Sequence, residues 1–515
     1  MRPGSVAVSR LLQLLREADL LVEARVSQDL VVTGVSQDSR ELEEGDLFLA
    51  WRGTSVDAHE FLPVAHEKGA AAALVEEFRE AVDLPQIRVR DARRASALVS
   101  HEILGRPGDH LRILSVTGTN GKTTTVSLLH HLLRASSQTA GLGTLGLTGV
   151  DGELRPLPSG LTTPGPVHLT RTLAALRRQG VRTVAMEASS HALEQRRLDG
   201  IPVDVACFTN LTQDHLDYHP TMEAYRDAKA HLLSLLRSPE SGVVVNADDP
   251  HWALLPEIRG RLLPVTMREA ELNLPPARRL LPTLRAHGVV SGPQGSQFQL
   301  SWDGESVNVE LPLLGTFNVE NTLVAAGAAL LSSLTLDEVA KRLKTVPQPR
   351  GRLELVARTP VPVILDYAHT PDALSRLLEA VRPLYPGRVI LVFGAGGDRD
   401  RAKRPQMGRV AAQGAHLPVV TSDNPRTENP DAIIDDILAG MKDMGSTDGA
   451  MQGREPHRIT DRREAIAFAL NEAGPGDVVI LAGKGHETGQ IVGRESRPFD
   501  ERAIVRELLF QGGYG

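Results

Sequence analysis

The chain has a single cysteine, Cys207, in 515 residues. A lone thiol closes no internal disulfide and builds no thiolate zinc site, a usage that suits a reducing cytosol. Aromatic residues make up only 3%, too few for the stacking platforms of a single-strand nucleic-acid binder. Positive charge is not in excess: 57 Lys and Arg stand against 64 Asp and Glu, a formal charge of −7. That balance argues against a protein whose main work is to coat DNA or RNA. Long apolar runs are missing too. The most apolar stretch, 323–331, is about half the length of a membrane span, so no membrane insertion is expected. Near the N-terminus, Leu11, Leu12, Leu14 and Leu15 are broken up by Arg10 and Arg16. This run lacks the apolar core and cleavage site of a secretory signal, and a cytoplasmic protein is expected.

What is present is an ordinary globular composition, 41% hydrophobic and 23% charged, in a length that suits roughly three domains. The fold class expected is α/β in all three. Residues 1–95 read as a small α/β module, with strands at 30–35, 46–51, 71–75 and 86–89 and a helix at 60–69. Residues 96–348 read as a central parallel-sheet domain. Its strands fall at 111–116, 183–186, 203–209 and 242–246, and its helices at 124–134, 167–179, 222–236 and 319–332, with strands and turns over 275–310. The Pro/Gly cluster at 346–351 marks the boundary to a C-terminal, Rossmann-like, doubly wound domain over 349–515. Its strands are expected at 361–366, 388–393, 417–421 and 477–482.

The strongest local signal lies between a strand and a helix: Gly118, Thr119, Asn120, Gly121, Lys122, Thr123 and Thr124. Binding phosphate takes inward backbone N–H groups, glycines that let the chain approach, and a cation. Gly118 and Gly121 give the room, Lys122 the charge, and Thr123 a hydroxyl for a phosphate-bound metal. The usual first glycine is replaced by Val116, so this is a variant phosphate loop.

Four further motifs follow in order. They are Met186-Glu187-Ala188-Ser189-Ser190-His191, Phe208-Thr209-Asn210-Leu211 followed by Asp214-His215-Leu216-Asp217-Tyr218-His219, Asn246-Ala247-Asp248-Asp249, and Asp366-Tyr367-Ala368-His369-Thr370-Pro371. Together with the loop they resemble the Mur ligase family over essentially the whole length. Within that family the chain is most similar to the branch that adds the third residue of the peptidoglycan stem peptide. The resemblance implies an ATP-dependent amide ligase that joins meso-2,6-diaminopimelate to UDP-N-acetylmuramoyl-L-alanyl-D-glutamate through an acyl phosphate. It also implies a role in cell-wall synthesis, cell shape and division, and a monomer.

Glu187 ends one strand and His215 follows another, and in an open parallel sheet such strand ends converge beside the phosphate loop. Taken alone, a strand-end Glu caps a helix as readily, and a single His is more often structural. The resemblance implies two magnesium ions, one held by Thr123, Glu187 and the ATP phosphates, the other near His215 and a modified Lys229. Lys229, in isolation a solvated helix lysine, matches a lysine that carbon dioxide converts to N6-carboxylysine. Lys122, Glu187, His215 and Lys229 are the catalytic set so implied.

The resemblance further places Asn318, Arg352, Asp366 and His369 against ATP, beside the loop residues. Gln37, Ser39, Thr54 and Ser55 fall on the uridine and diphosphate side of the UDP-muramyl dipeptide, and Thr162, Thr163, Ser189, Gln195 and Arg197 on its peptide side. Specificity is expected from Asp423, Asn424, Pro425 and Arg426, because a planar guanidinium suits bidentate pairing with a carboxylate. meso-Diaminopimelate has a distal carboxylate that L-lysine lacks. By resemblance Arg399, Gly483 and Glu487 complete that pocket. A Gly-Lys-Gly turn at 483–485 also admits a second phosphate loop, though no Ser or Thr follows its lysine.

Two other functions use the same residues. A lysine-adding or folylpolyglutamate-type ligase is opposed by Arg426 and by the N-terminal module. A nucleotide-gated binding protein without catalysis is opposed by the presence of Lys122, Glu187, His215 and Lys229.

Overall fold

Leu11, Leu12 and Leu15 share one face of the first helix, Val8–Glu17, and with Val8 are buried, because spacings of three and four residues return to the same side of a helix. The computed structural model describes residues 5–53, 56–157, 160–215, 218–442, 450 and 455–511. In the N-terminal unit the parallel strands Gly34–Ser36, Asp46–Leu49, Ala72–Val75 and Gln86–Val89 lie side by side, and Leu21–Arg25 pairs antiparallel at the edge. The expected helix at 60–69 is a 3-10 turn, Ala58–Phe61, leading into Leu62–Glu67. The division expected after residue 95 falls inside a helix, Ala92–Ile103. Its Ala92, Ala95, Val99 and Ile103 pack in the same core as the first helix, so this unit runs past residue 95.

The central sheet has twelve strands. Its parallel middle runs, in spatial order, Thr139–Gly143, Thr183–Glu187, Arg112–Thr117, Val205–Phe208, Gly242–Asn246 and Ile258–Thr266. The first and last of these were not expected from sequence; in the first, two glycines in five residues weaken a strand signal. A meander, Leu284–Gly292, Gly295–Trp302 and Glu305–Leu311, extends the far edge. One face is covered by Lys122–Arg134 and by Thr316–Leu330, a helix buried almost all round. The expected helix at 222–236 ends earlier, as Met222–Ala230 followed by a 3-10 turn, His231–Leu235.

The C-terminal sheet orders Glu354–Ala357, Val363–Asp366, Val478–Ala482, Val389–Phe393, Leu417–Val420 and His457–Arg458, all parallel after the first. Helices Pro371–Val381, Lys403–Gly414 and Pro430–Lys442 bury one face, and Arg462–Glu472 and Glu501–Gln511 the other. This is the expected doubly wound domain. The loops after 366, 393, 420 and 482 all leave the same sheet edge, where such folds bind ligands.

Candidate active site

The strand Arg112–Thr117 delivers the chain to the loop, and the helix Lys122–Arg134 starts at Gly121, whose φ is +85°. A Cβ on Gly121 would lie 2.0 Å from Asn321 Oδ1, and one on Gly118 1.9 Å from Thr209 Oγ1. Both positions therefore demand glycine on steric grounds as well as conformational ones. Lys122 Nζ donates to the carbonyls of Gly118 and Thr119, at 3.0 and 2.8 Å. Thr119, Asn120, Thr123 and Thr124 line the same cleft, which faces Arg352, Asp366 and His369 of the C-terminal domain.

Glu187 ends its strand 1% exposed. Its carboxylate accepts from Thr123 Oγ1 at 2.9 Å, from Thr144 N–H at 2.8 Å and from Thr144 Oγ1 at 3.1 Å. Gly143 makes this possible, because a Cβ there would sit 2.2 Å from Glu187 Oε1. Thr144 had no sequence signal.

Lys229 is 1% exposed and donates to Gly118 O at 2.8 Å. Burial first, and the nearby Lys122 second, push its ammonium well below the ordinary lysine range, with Asp214 opposing. Its Nζ lies 4.3 Å from the Tyr225 ring centre, and that ring is 6.2 Å from His215. The Tyr225 ring thus stands near both side chains. Against burial, which would raise it, the pKa of the half-buried Asp214 is lowered by His215, His369 and Lys122, and Lys403 also feels its charge. Sequence reasoning quoted Asp214 in its motif and gave it no role. Leu216 and Asp217 lie outside the described residues.

A magnesium ion would find a hydroxyl and a carboxylate at Thr123 and Glu187, the hard oxygen donors it favours. Among the described residues no group of three His, Cys, Asp or Glu side chains stands ready to hold a metal. Further oxygens must then come from phosphate, water or a modified side chain. At His215 and Lys229 an amine is a poor magnesium ligand, and a carbamate would supply the missing oxygens.

Arg352 Nη2 donates to Thr123 Oγ1 at 3.1 Å, and its guanidinium lies 4.5 Å from the Tyr367 ring centre. Asp366 is fixed by the N–H groups of Leu353 and Ala368, at 2.7 and 2.8 Å, and burial raises its pKa. Burial lowers that of His369, which bonds the Tyr367 carbonyl. Asn318 departs from expectation and does not line the cleft. It is 1% exposed, donates to Leu314 O and accepts from Asn321, so that Asn321, one turn on, forms the wall instead.

The next cavity, about 780 Å³, gathers Thr162, His191, Asp214, His215, Arg399, Lys403, Asp423, Asn424, Arg426, Gly483 and Glu487. Pro425 is not among its lining residues. It is buried, with its carbonyl 1.9 Å from where a Cβ on Gly397 would stand, so it shapes the loop from behind. Arg426 sits at φ +51° and donates to Gly397 O at 2.8 Å. Burial, then Arg399, depress its pKa. Arg404, 1% exposed, clamps Glu428 and Asp436 behind the loop. Lys484 is fully buried and bonded to Asn424 Oδ1, Glu487 Oε2 and Gly489 O. It braces the pocket and is not free to meet a phosphate. Asp423 Oδ1 is buried with no hydrogen bond, 3.6 Å from the Lys484 ammonium.

On the peptide side, Thr163 Oγ1 donates to Glu187 O and accepts from Ser189 N–H. Ser189 caps the helix Ser190–Glu194. Arg197 donates to Thr163 O and Gln195 Oε1, at 2.8 and 2.7 Å. Thr162 meets Thr144, hydroxyl to hydroxyl at 3.0 Å. Gln37 reaches this edge from the N-terminal unit. A Cβ on Gly165 would lie 3.0 Å from its Nε2, and its Oε1 is buried without a partner. Ser39 is half-buried in the same loop, its carbonyl bonded by Lys68. Thr54 and Ser55 lie outside the described residues.

Three family models match: the Mur ligase middle domain over residues 116–329, the glutamate ligase domain of the Mur ligases over 351–485, and the Mur ligase family catalytic domain over 31–102. A UDP-N-acetylmuramoyl-L-alanyl-D-glutamate–2,6-diaminopimelate ligase of Gloeobacter violaceus is 43% identical, over 97% of this chain and 98% of its own. The protein of the same name from Bacillus licheniformis is 39% identical, over 94% and 96%. A solved structure of a ligase with that name superposes at a TM-score of 0.68 with 31% identity, covering 99% of this chain and all of its own. A folylpolyglutamate synthase of Mycobacterium tuberculosis, at 17% identity and a TM-score of 0.60, shares the fold.

Proposed function

This chain belongs to the Mur ligase family, and on that premise we propose that it joins meso-2,6-diaminopimelate to UDP-N-acetylmuramoyl-L-alanyl-D-glutamate with hydrolysis of ATP to ADP and phosphate. The observation that carries the reading is the cavity holding Asp423, Asn424, Arg426, Gly483 and Glu487 next to the cleft of the phosphate loop. His215, Asp214 and His369 belong to both.

A carboxylate must first become an acyl phosphate, a mixed anhydride, before an amine can displace its oxygen. The loop N–H groups and Lys122 hold the ATP phosphates, and the γ-phosphoryl group passes to the substrate carboxylate. Lys122 must turn from its own loop carbonyls to do so. The incoming amine then attacks the acyl phosphate, and phosphate leaves. Positioning and neutralisation of charge supply the rate, with no nucleophilic side chain. Magnesium, when bound, would shield the phosphate charges, with Thr123 and Glu187 holding one ion and His215 with Lys229 a second. Lys229 reacts as a neutral amine: its Nζ bonds to the carbon of carbon dioxide, one proton is released, and a carbamate results. The low proton affinity of that amine supports the step.

Asp423 and Glu487, which line the same cavity, suit an ammonium group, and Arg426 with Arg399 suits a carboxylate. Arg352, Asp366 and His369, with Asn318 behind Asn321, are the adenosine side. Gln37, Ser39, Thr54 and Ser55 are the uridine side, and Thr162, Thr163, Ser189, Gln195 and Arg197 the peptide side. A monomer in the cytoplasm completes the proposal; the lone buried cysteine suits a reducing compartment. The test is phosphate release, expected only when the muramyl dipeptide and meso-diaminopimelate are both supplied. Equal turnover with L-lysine would refute the amino-acid assignment.

A further inference from the structure

The phosphate loop is gripped from the other domain by one carboxylate that the reaction scheme above leaves unused. Asp372 lies in the first turn of the helix Pro371–Val381. Its Oδ2 accepts from Asn120 Nδ2 at 2.9 Å and from Thr212 Oγ1 at 3.0 Å, partners 252 and 160 residues away in sequence. Those two residues are already stapled together. Thr212 N–H donates to Thr119 Oγ1 at 3.0 Å, and Asn120 N–H to Asn210 Oδ1 at 2.9 Å. Residues 210 and 212 are therefore tied to the loop, and Asp214 and His215 follow directly along the chain.

One turn along the same helix, Arg376 makes a second arm. Its Nε lies 3.3 Å from Asp372 Oδ2 and its Nη1 3.8 Å from Glu320 Oε2. Glu320 precedes Asn321, the residue against which Gly121 packs. One arm thus ends on the phosphate loop and on Thr212, the other on the helix that packs against the loop, and Asp372 also lines the cavity that holds Arg426 and Glu487.

We propose that Asp372 is a positioning residue for the ligase reaction: by accepting from Asn120 and Thr212 together, it locks the C-terminal domain onto the phosphate loop and brings the amino-acid pocket into register with the phosphoryl group. Asn120 spends its side-chain donor on this clasp and its N–H on Asn210 Oδ1, so both groups hold the loop in place. The inference rests on the ligase reading above for its kinetic consequence, but the clasp itself can be read without turnover.

The experiment uses the full chain with dye pairs on Val290→Cys and Phe510→Cys, positions 68% and 75% exposed on the central and C-terminal domains. Cys207 is fully buried and stays unlabelled. With ATP and magnesium but no amino acid, Asp372→Ala is expected to show a longer and broader distance distribution than its parent. In turnover it should lose about tenfold or more in kcat, the worth of charge-assisted hydrogen bonds, while KM for ATP moves less than about threefold. Asp372→Asn keeps an oxygen acceptor in place and should restore most of both. Thr212→Val, made in the other domain, should give a smaller loss alone and none in addition to Asp372→Ala. Identical distance distributions with unchanged kcat would overturn the proposal, as would additive losses in the double variant or an Asp372→Asn chain as impaired as Asp372→Ala. The distance measurement needs no amino acid, so a mistaken amino-acid assignment would leave it standing.

Discussion

Replacing Arg426 by alanine tests the specificity argument where the geometry is most explicit. One of its nitrogens, Nη1, is committed to Gly397 O at 2.8 Å. That bond fixes the guanidinium plane and leaves Nη2 and Nε to form a fork. Two charge-assisted hydrogen bonds to a carboxylate contribute about 1.5–3 kcal/mol each, so their loss lowers kcat/KM for meso-diaminopimelate by about 10²–10⁴. Arg399 remains and repels nothing once its neighbour is gone, which favours the lower half of that range. L-lysine has no distal carboxylate, so its weak turnover should not fall in parallel; relief of a half-buried cation that meets no carboxylate on that substrate should leave it equal or slightly higher. Arg426→Lys keeps the charge without the fork and should fall between. The assay is phosphate release against concentration of each amino acid, at saturating ATP and muramyl dipeptide. A loss below about threefold for meso-diaminopimelate, or the same loss for both amino acids, would refute the reasoning.

Lys229→Ala should be nearly inactive and partly rescued by short-chain carboxylates such as acetate; full activity without rescue would remove the carbamate from the mechanism. The unmodified amine has a depressed pKa, so the neutral form that takes up carbon dioxide prevails above that value and is lost as pH falls through it. Activity should therefore decline on the acid side and recover with added bicarbonate, and a carbon-13 carbamate signal should decline in step. Gly143→Ala should cut kcat by about 100-fold with the fold intact, because the new methyl displaces the Glu187 carboxylate; normal activity would show that this carboxylate need not lie there. The fully buried pair Arg462–Glu501, with Nε to Oε1 at 2.8 Å, gives a stability test. Arg462→Ala should cost about 3–5 kcal/mol in urea denaturation, whereas Arg462→Met with Glu501→Leu should recover most of it.

The amino-acid sequence by itself determined the class of the fold. Its alternating strands and helices, the glycines and lysine of the loop, and the Pro/Gly break near residue 350 are local features, set by backbone conformation and by which residues face inward. They place the phosphate loop and the doubly wound C-terminal sheet within a few residues of where the structure has them. The strand Thr139–Gly143 escaped in part because Gly143 is there to admit Glu187, a reason that lies in another strand 44 residues on. Asn318 and Asn321 show the same limit on a helix: one turn separates a buried brace from a cleft wall, and composition does not tell them apart. Thr144, Lys403 and Asp372 carried no signal at all. Each matters only through partners from distant parts of the chain, and burial beside a charge is a property of the packed molecule. Tertiary structure alone decided that Lys229 is buried, that Lys484 braces a pocket, and that one carboxylate reaches across two domains. Hydrogen bonds and desolvation act over a few ångströms in space, whatever the separation along the chain.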